Sequence, residues 1–379
     1  MKEKIKDLMK HFLDVCFCFR PTQNYIMFES AVEFEGNAGE VYRYLLKKKY
    51  NEKYKMIWLV NGKKRYQLPK NVKVVPKKGF NLRRYYYMRV SRYQLWDNEA
   101  IEKRRKDQCN VFLMHSGMGL KNTKNIYSAP SNIDYLITTS EGVKPILCYQ
   151  LSVDPLKAVV TGLPRNDVLF EKHPEELKKI KAIGFDKIIL WMPTFRKHSS
   201  QIRNDSSRNY ALGLPIIYDE KQLNNLNDVL KENNVGLIIK LHPAQDISSL
   251  NISDNLSNII FLTSQRAEEL ELHVYELMTE TDALLSDYSS VSFDYMLLDK
   301  PIGFTIDDIE SYKIGFSVEN TLYYMAGNKI YTYEELVDFI VSVKKNEDNY
   351  KEERHKINDF CNFYKDANSC ERVVELLNL

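Results

Sequence analysis

Short, continuously apolar runs recur along the chain, separated by longer stretches whose apolar residues stand three or four apart. The first series comprises residues 25–29 (YIMFE), 56–60 (MIWLV), 72–75, 111–114 (VFLM), 135–138 (YLIT) and 158–160. The second comprises 188–191 (IILW), 236–241 (GLIIKL), 259–262 (IIFL), 283–285 and 301–304. Runs that are apolar throughout, rather than alternating, predict strands buried on both faces of a parallel sheet. The spaced patterns predict helices over 39–49, 175–183, 220–233, 267–279, 333–344, 352–364 and 369–377. This is the βα rhythm of doubly wound sheets. A polar, proline-containing break at 164–174 divides the two series. The expected fold class is α/β with two Rossmann-like domains. The expected boundaries are 24–168 and 169–379, with the last helices packing back on the first domain. Residues 1–23 form an expected amphipathic N-terminal helix. The Ser-, Asn-, Arg- and Lys-rich stretch 197–214 predicts a long surface loop.

Composition agrees with a globular chain. Its 379 residues suit two domains of roughly 150 residues or more. They are 44% hydrophobic and 28% charged, which excludes wholesale disorder. Lys and Arg number 54 against 51 Asp and Glu, so the net charge is only +3. A dedicated nucleic-acid binder is therefore not expected, and any basic surface must be local. Six cysteines without a CxxC pair predict neither a disulfide scaffold nor a zinc site. No run reaches the ~18 apolar residues of a membrane span. The apolar run 12–19 is interrupted by Asp14 and is not followed by a small-residue cleavage site, so a cytoplasmic protein is expected.

Two segments read as membrane-contacting surfaces. In residues 1–20, Ile5, Leu8, Met9, Phe12, Leu13, Cys16 and Phe17 are apolar while Lys2, Lys4, Lys6 and Lys10 are basic. That pattern suits a helix lying in a membrane interface, or one packed on its own domain. Residues 77–96 (KKGFNLRRYYYMRVSRYQLW) carry six Lys or Arg, four Tyr and one Trp. Such a stretch suits anionic lipid, single-stranded nucleic acid or an ordinary surface helix.

Four polar clusters follow predicted strands, where ligands gather in doubly wound sheets. After VFLM comes His115-Ser116-Gly117-Met118-Gly119-Leu120-Lys121. Its glycines admit an anion close to backbone N–H groups, and His115 is placed to take a proton from a hydroxyl. After LIIKL comes His242-Pro243; an imidazolium there suits a phosphate or a leaving group. After ALL comes Ser286-Asp287-Tyr288-Ser289-Ser290, a strand–turn–helix arrangement suited to phosphate. Asp287 is expected to cap or orient this turn rather than to bind metal. After IILW comes Met192-Pro193-Thr194-Phe195-Arg196, where Thr194 and Arg196 are candidate phosphate contacts. No GxxxxGK[ST] loop, GxSxG elbow or HExxH motif occurs, which argues against P-loop ATPases, serine hydrolases and zinc peptidases.

In this order the motifs resemble one family, the CDP-glycerol glycerophosphotransferases of teichoic acid and related capsule synthesis. YIMFES with YKMIWLVNG resembles that family's opening. DYLITTSEGVKPIL and VTGLPRND (residues 160–167) resemble the end of its first domain. KIILWMPTFR resembles its APT[WF]R element, and LLSDYSSVSFDYMLLDKPIGF its L[IL][TS]DYSS…FDY…L.[KR]P signature. Roughly residues 24–346 are covered. The resemblance implies a two-domain glycosyltransferase B-type fold. It implies transfer of a polyol phosphate from a CDP-polyol donor to a hydroxyl of a lipid-linked or polymeric saccharide acceptor, with release of CMP. It also implies peripheral attachment to an anionic membrane surface at the cytoplasmic face of the cell membrane, with no nucleic-acid partner.

Carried over by position, His115 matches the histidine of the family's HG[TS]PLK element, its catalytic base. His242 matches its second active-site histidine, acting on the diphosphate. Ser289 and Ser290 match the serines of the phosphate-binding helix. Lys121, Arg165 and Asn166 fall in matching elements and join the candidate substrate contacts. Two departures stand out. HSGMGLK is one residue longer between His and Lys than HGTPLK, and the family's PGP turn appears as Met325-Ala326-Gly327-Asn328. The expected reaction requires no cofactor, and a loosely held Mg2+ is compatible with it. Rival readings are a sugar-nucleotide-dependent glycosyltransferase or epimerase of the same fold, a non-catalytic membrane-associated nucleotide-binding protein, and a single-stranded nucleic-acid binder.

Overall fold

The structure, a computed structural model, describes residues 19–62, 66–124, 126–194, 210, 212–241 and 256–379. The chain divides into two compact units. Of the described residues, the first contains those up to His115, with Tyr127–Asp167 and Asp366–Leu379; the second contains Ser116–Ile126 and Val168–Lys365. The expected amphipathic helix at 1–23 lies outside the described residues, except for its last five positions.

The first unit is built on β1 (Gln23–Glu29), β2 (Lys55–Val60), β3 (Val72–Pro76), β4 (Ser91–Trp96), β5 (Cys109–Phe112), β6 (Tyr135–Thr138) and β7 (Ala158–Val160). All neighbours are parallel, in the order β3-β2-β1-β4-β5-β6-β7. The inner strands are buried almost throughout, which is why they read as unbroken apolar runs. The helix Gly36–Lys47 presents Ala38, Val41, Tyr42 and Leu45 to the core, the three-and-four spacing of one helical face. Phe28 stacks on Trp58 at 5.2 Å in the same core.

The second unit is built on β8 (Lys187–Trp191), β9 (Val235–Lys240), β10 (Ile259–Leu262), β11 (Ala283–Ser286), β12 (Ile302–Thr305) and β13 (Asn328–Ile330). It too is parallel, in the order β10-β9-β8-β11-β12-β13. Its helix Tyr333–Lys345 starts at a capping box between Thr332 and Glu335 and buries Leu336, Phe339, Ile340 and Val343.

Several expectations change. β4 falls inside the stretch 77–96 that reads as a surface segment. Its Tyr93, Leu95 and Trp96 are buried, as is Tyr87 on the helix Leu82–Val90 before it. Lys77 is used internally as well, in an ion pair with the fully buried Glu29. Ser91 and Gln94 disguised the strand: both are buried polar residues, and Gln94 is held by Asn110 Nδ2 at 2.8 Å. β13 is a further strand, formed at the Met325–Asn328 turn. The pattern 267–279 is two short helices, Ser264–Glu269 and Val274–Thr279, because Glu271 takes a left-handed φ of 48° between them. The pattern 175–183 keeps only one turn, Glu175–Lys179. The stretch 197–214 lies mostly outside the described residues, but Tyr210, Leu212 and Leu214 at its end are core, not surface. The segment Asp366–Leu379 folds with the first unit, and Ser116–Ile126 with the second.

Candidate active site

In each sheet the strand order reverses once, between β1 and β4 and between β8 and β11. Ligands of doubly wound sheets bind outside the carboxyl ends of the strands at such a reversal. Both of these ends carry the candidate chemistry, and each is described by itself.

In the second unit, β8 leads into Met192–Thr194 and β11 into Asp287–Ser290. Pairing of Leu285 with Trp191 brings the two turns side by side. Asp287, fully buried, joins them. Its Oδ2 accepts the Thr194 N–H at 2.9 Å and the Thr194 hydroxyl at 2.7 Å, and its Oδ1 accepts the Ser289 N–H at 3.2 Å. Ser286 Oγ donates to Met192 O at 3.1 Å, closing the same turn. Thr194 is therefore a brace whose proton is already committed. The Ser289 and Ser290 hydroxyls are half-buried and make no hydrogen bond among the described residues. The helix they open, Val291–Tyr295, has only five residues. An anion held there would be held by these hydroxyls and the first N–H groups of the helix, with little from a macrodipole. Arg196 and His242 lie outside the described residues.

Much of the longer signature around this turn is scaffold. Asp294 accepts the Tyr275 hydroxyl at 2.7 Å, and Tyr295 is fully buried against Thr281. Lys300 Nζ donates to Thr279 O at 2.8 Å and to Thr281 O, capping the end of the helix Val274–Thr279. Tyr288 donates to Asp308 at 2.8 Å and packs on Tyr312.

In the first unit, β5 ends at Phe112, and Met114 turns the chain with a left-handed φ of 52° immediately before His115. A non-glycine residue holds that conformation only where its surroundings enforce it. Here Asn37 does so: its Nδ2 donates to Leu113 O at 3.2 Å and to Met114 O at 2.6 Å. Its Oδ1 accepts the Arg165 N–H at 3.0 Å. One buried amide thus positions both the His115 turn and Arg165. His115 itself is exposed.

Beside Asn37, Asp97 follows β4 and accepts the Ala38 N–H at 3.0 Å. Gly36, at φ +71°, approaches so closely that a Cβ would lie 2.6 Å from the Asp97 carboxylate. Burial pushes the Asp97 carboxyl up to about 7, against the Ala38 N–H and the Ser30 hydroxyl, with the positive charge of Arg165 adding a smaller downward pull. Asn166 is buried, at 3% exposure. Neither Asn37 nor Asp97 carried a signal in the sequence, because each works through partners 59 to 128 residues away.

Lys121 belongs to the second unit, where it forms an isolated antiparallel bridge with Phe316. Asn122 N–H donates to Gly315 O at 3.1 Å, and Ser317 Oγ donates to Gly119 O at 2.6 Å. These bonds anchor the lengthened loop. Gly119 has an ordinary φ, and a Cβ there would meet nothing within 4 Å, so the fold does not require glycine at this position.

Comparison with known proteins bears on the family and the fold. The family model described as CDP-Glycerol:Poly(glycerophosphate) glycerophosphotransferase matches residues 12–379. The chain is 27% identical to the teichoic acid glycerol-phosphate primase of Bacillus subtilis strain 168, over 77% of this chain and 74% of that one. It is 28% identical to the teichoic acid poly(glycerol phosphate) polymerase of Bacillus spizizenii, over 93% of this chain and 91% of that one. The solved structure of the wall teichoic acid polymerase TagF superposes with a TM-score of 0.75 at 20% identity, covering 99% of this chain and 95% of that one, and shares its fold.

Proposed function

Because the chain belongs to the CDP-glycerol:poly(glycerophosphate) glycerophosphotransferase family, we propose that it transfers glycerol phosphate or ribitol phosphate from a CDP-polyol to a hydroxyl of a lipid-linked or polymeric saccharide, releasing CMP. The polymer is of the teichoic acid or capsule type. The observation that carries the reading is the family match over 12–379; Thr194 and Asp287–Ser290, after the two strands at the order reversal of the second sheet, support it.

In this mechanism His115 removes the proton of the acceptor hydroxyl as it attacks the β-phosphorus, a role worth typically ~10²–10⁴-fold in rate. Ser289 and Ser290 hydrogen-bond the diphosphate, and His242 and Arg196 neutralise the charge that builds on departing CMP. Asp287 holds the Ser289 turn against Thr194 and so fixes these donors before substrate arrives. Phosphoryl transfer asks mainly for positioning and charge neutralisation, so no cofactor is required of the chain. The enzyme works peripherally at the cytoplasmic face of the membrane, where such an acceptor is held. Among the described residues, no helix is long and apolar enough to cross a membrane.

The test is CMP release from CDP-glycerol and CDP-ribitol, with and without a lipid-linked or soluble saccharide acceptor. Acceptor-dependent CMP from one donor identifies the polyol. His115→Ala and His242→Ala each reduce that turnover by at least about a hundredfold while leaving the fold intact. Near-normal CMP release by either folded variant removes that histidine from the mechanism.

A further inference from the structure

The turn that follows β7 carries Arg165, and its neighbours fix it. Gly162, at φ +79°, opens the turn. The Arg165 N–H donates to Asn37 Oδ1 at 3.0 Å, and the Asn166 N–H donates to Leu163 O at 2.9 Å. Just beyond, Asp167 accepts the Ser369 N–H at 2.9 Å and the Cys370 N–H at 2.8 Å. The backbone that carries this cation is therefore set before any ligand arrives.

The same amide sets the turn of the base. Asn37 Nδ2 donates to Leu113 O at 3.2 Å and to Met114 O at 2.6 Å, immediately before His115. One buried side chain thus spaces the backbone of an imidazole from the backbone of a guanidinium. The Arg165 charge also acts on the Asp97 carboxyl, at the end of β4, so the half-buried guanidinium belongs to the order reversal of the first sheet. Burial pushes that carboxyl up to about 7, so near neutral pH much of it is uncharged and offsets little of the cation.

A base and a guanidinium held at one spacing suit one kind of acceptor. A hydroxyl that gives its proton to His115 needs no cation of its own. A guanidinium matches two oxygens of a phosphate with parallel hydrogen bonds. An acceptor that engages both presents its attacking hydroxyl near a phosphate. The terminal unit of a polyol phosphate chain does so, with the two groups at opposite ends of three carbons in glycerol and of five in ribitol. A bare saccharide end does not, because its hydroxyl stands on an uncharged sugar.

We propose that Arg165 binds the phosphate of an acceptor that already ends in a polyol phosphate, so that the enzyme extends such chains in preference to starting them. The proposal deepens the transferase reading and rests on it, with His115 as the base.

CMP release by the full chain from CDP-glycerol and CDP-ribitol tests it with two soluble acceptors, an alkyl glycoside and the same glycoside carrying one terminal glycerol phosphate. The unaltered protein favours the second by roughly ten- to a hundredfold in kcat/KM, the contribution of a hydrogen-bonded charge. Arg165→Gln removes most of that preference by raising KM for the phosphate-bearing acceptor. Arg165→Lys keeps part of it, because the charge remains while the fork is lost. The first comparison needs no substitution, and both variants retain the N–H that Asn37 binds. Equal use of the two acceptors by the unaltered protein overturns the proposal. So does a loss in Arg165→Gln that falls alike on both acceptors, as a merely structural role gives, or one that appears in KM for the CDP-polyol, which assigns the guanidinium to the donor. Each of these results leaves the transferase reading standing. No CMP from either donor with either acceptor overturns that reading and the proposal with it.

Discussion

Asn37 ties three backbone segments together with one side-chain amide, and that makes it the residue on which the His115 turn depends. Asn37→Ala strands the carbonyls of Leu113 and Met114 and the N–H of Arg165, all of which it satisfies. The expected cost is about 1–3 kcal/mol of stability. Because the strained Met114 turn then relaxes, kcat for CMP release falls while KM for the CDP-polyol stays near its original value. Thermal melts with steady-state kinetics check both; an unchanged kcat means the turn does not position the base. Asp97 gives a separate prediction about pH. Its carboxyl sits at about 7 in the folded protein, above its ordinary 3.8, because burial disfavours the charge. The folded state therefore keeps a proton that the unfolded chain gives up. The stabilisation this brings is complete below pH 3.8 and is lost as the pH rises through 7. Asp97→Asn cannot ionise, so between those values the unaltered protein loses up to roughly 4 kcal/mol relative to the variant. Parallel denaturation curves across that range that fail to diverge exclude a buried, protonated Asp97.

At the scale of elements, the terminal helix Ser369–Leu376 shows why the VTGLPRND segment has its composition. Asn368 at the helix start makes no side-chain cap. Asp167 supplies it from a distant part of the chain, accepting the Ser369 N–H at 2.9 Å and the Cys370 N–H at 2.8 Å. Gly162, at φ +79°, lets that helix approach: a Cβ would come within 2.5 Å of Ser369 Oγ. Asp167→Ala removes two charge-assisted bonds, and the expected loss is about 2–3 kcal/mol in the first unit. Urea titration measures it, and a loss below about half a kcal/mol means that solvent caps the helix equally well. The same comparison separates chemistry from scaffold in the longest motif. The Ser289 and Ser290 hydroxyls make no hydrogen bond among the described residues, while Ser286, Ser292, Asp294, Tyr295 and Lys300 are spent on the surrounding scaffold.

For the whole molecule, two units with separate cores need not unfold together. The last helix contributes Val373, Val374 and Leu377 to the first core. Truncation after Lys365 is expected to unfold the first unit, exposing Trp58 and Trp96, while Trp191 in the second stays buried. Tryptophan emission of single-tryptophan variants reads the two cores separately, and a red shift at Trp191 equal to that of the others shows a single cooperative unit instead. What the sequence determined by itself was the local part. Continuous apolar runs such as IILW and GLIIKL made buried parallel strands, spaced apolar residues made the covering helices, and the order of motifs marked the family. Each of these is carried by neighbours within one element, where period and composition decide the outcome. What only the tertiary structure decided was which distant residues meet. β4 is a strand because Asn110 satisfies Gln94 inside the core, so its polar positions hid it. Asp97, Asn37 and Asp167 take their roles from partners 59 to 203 residues away. Hydrogen bonds between side chain and backbone at that separation leave no periodicity behind, because nothing local requires them until the sheets have formed.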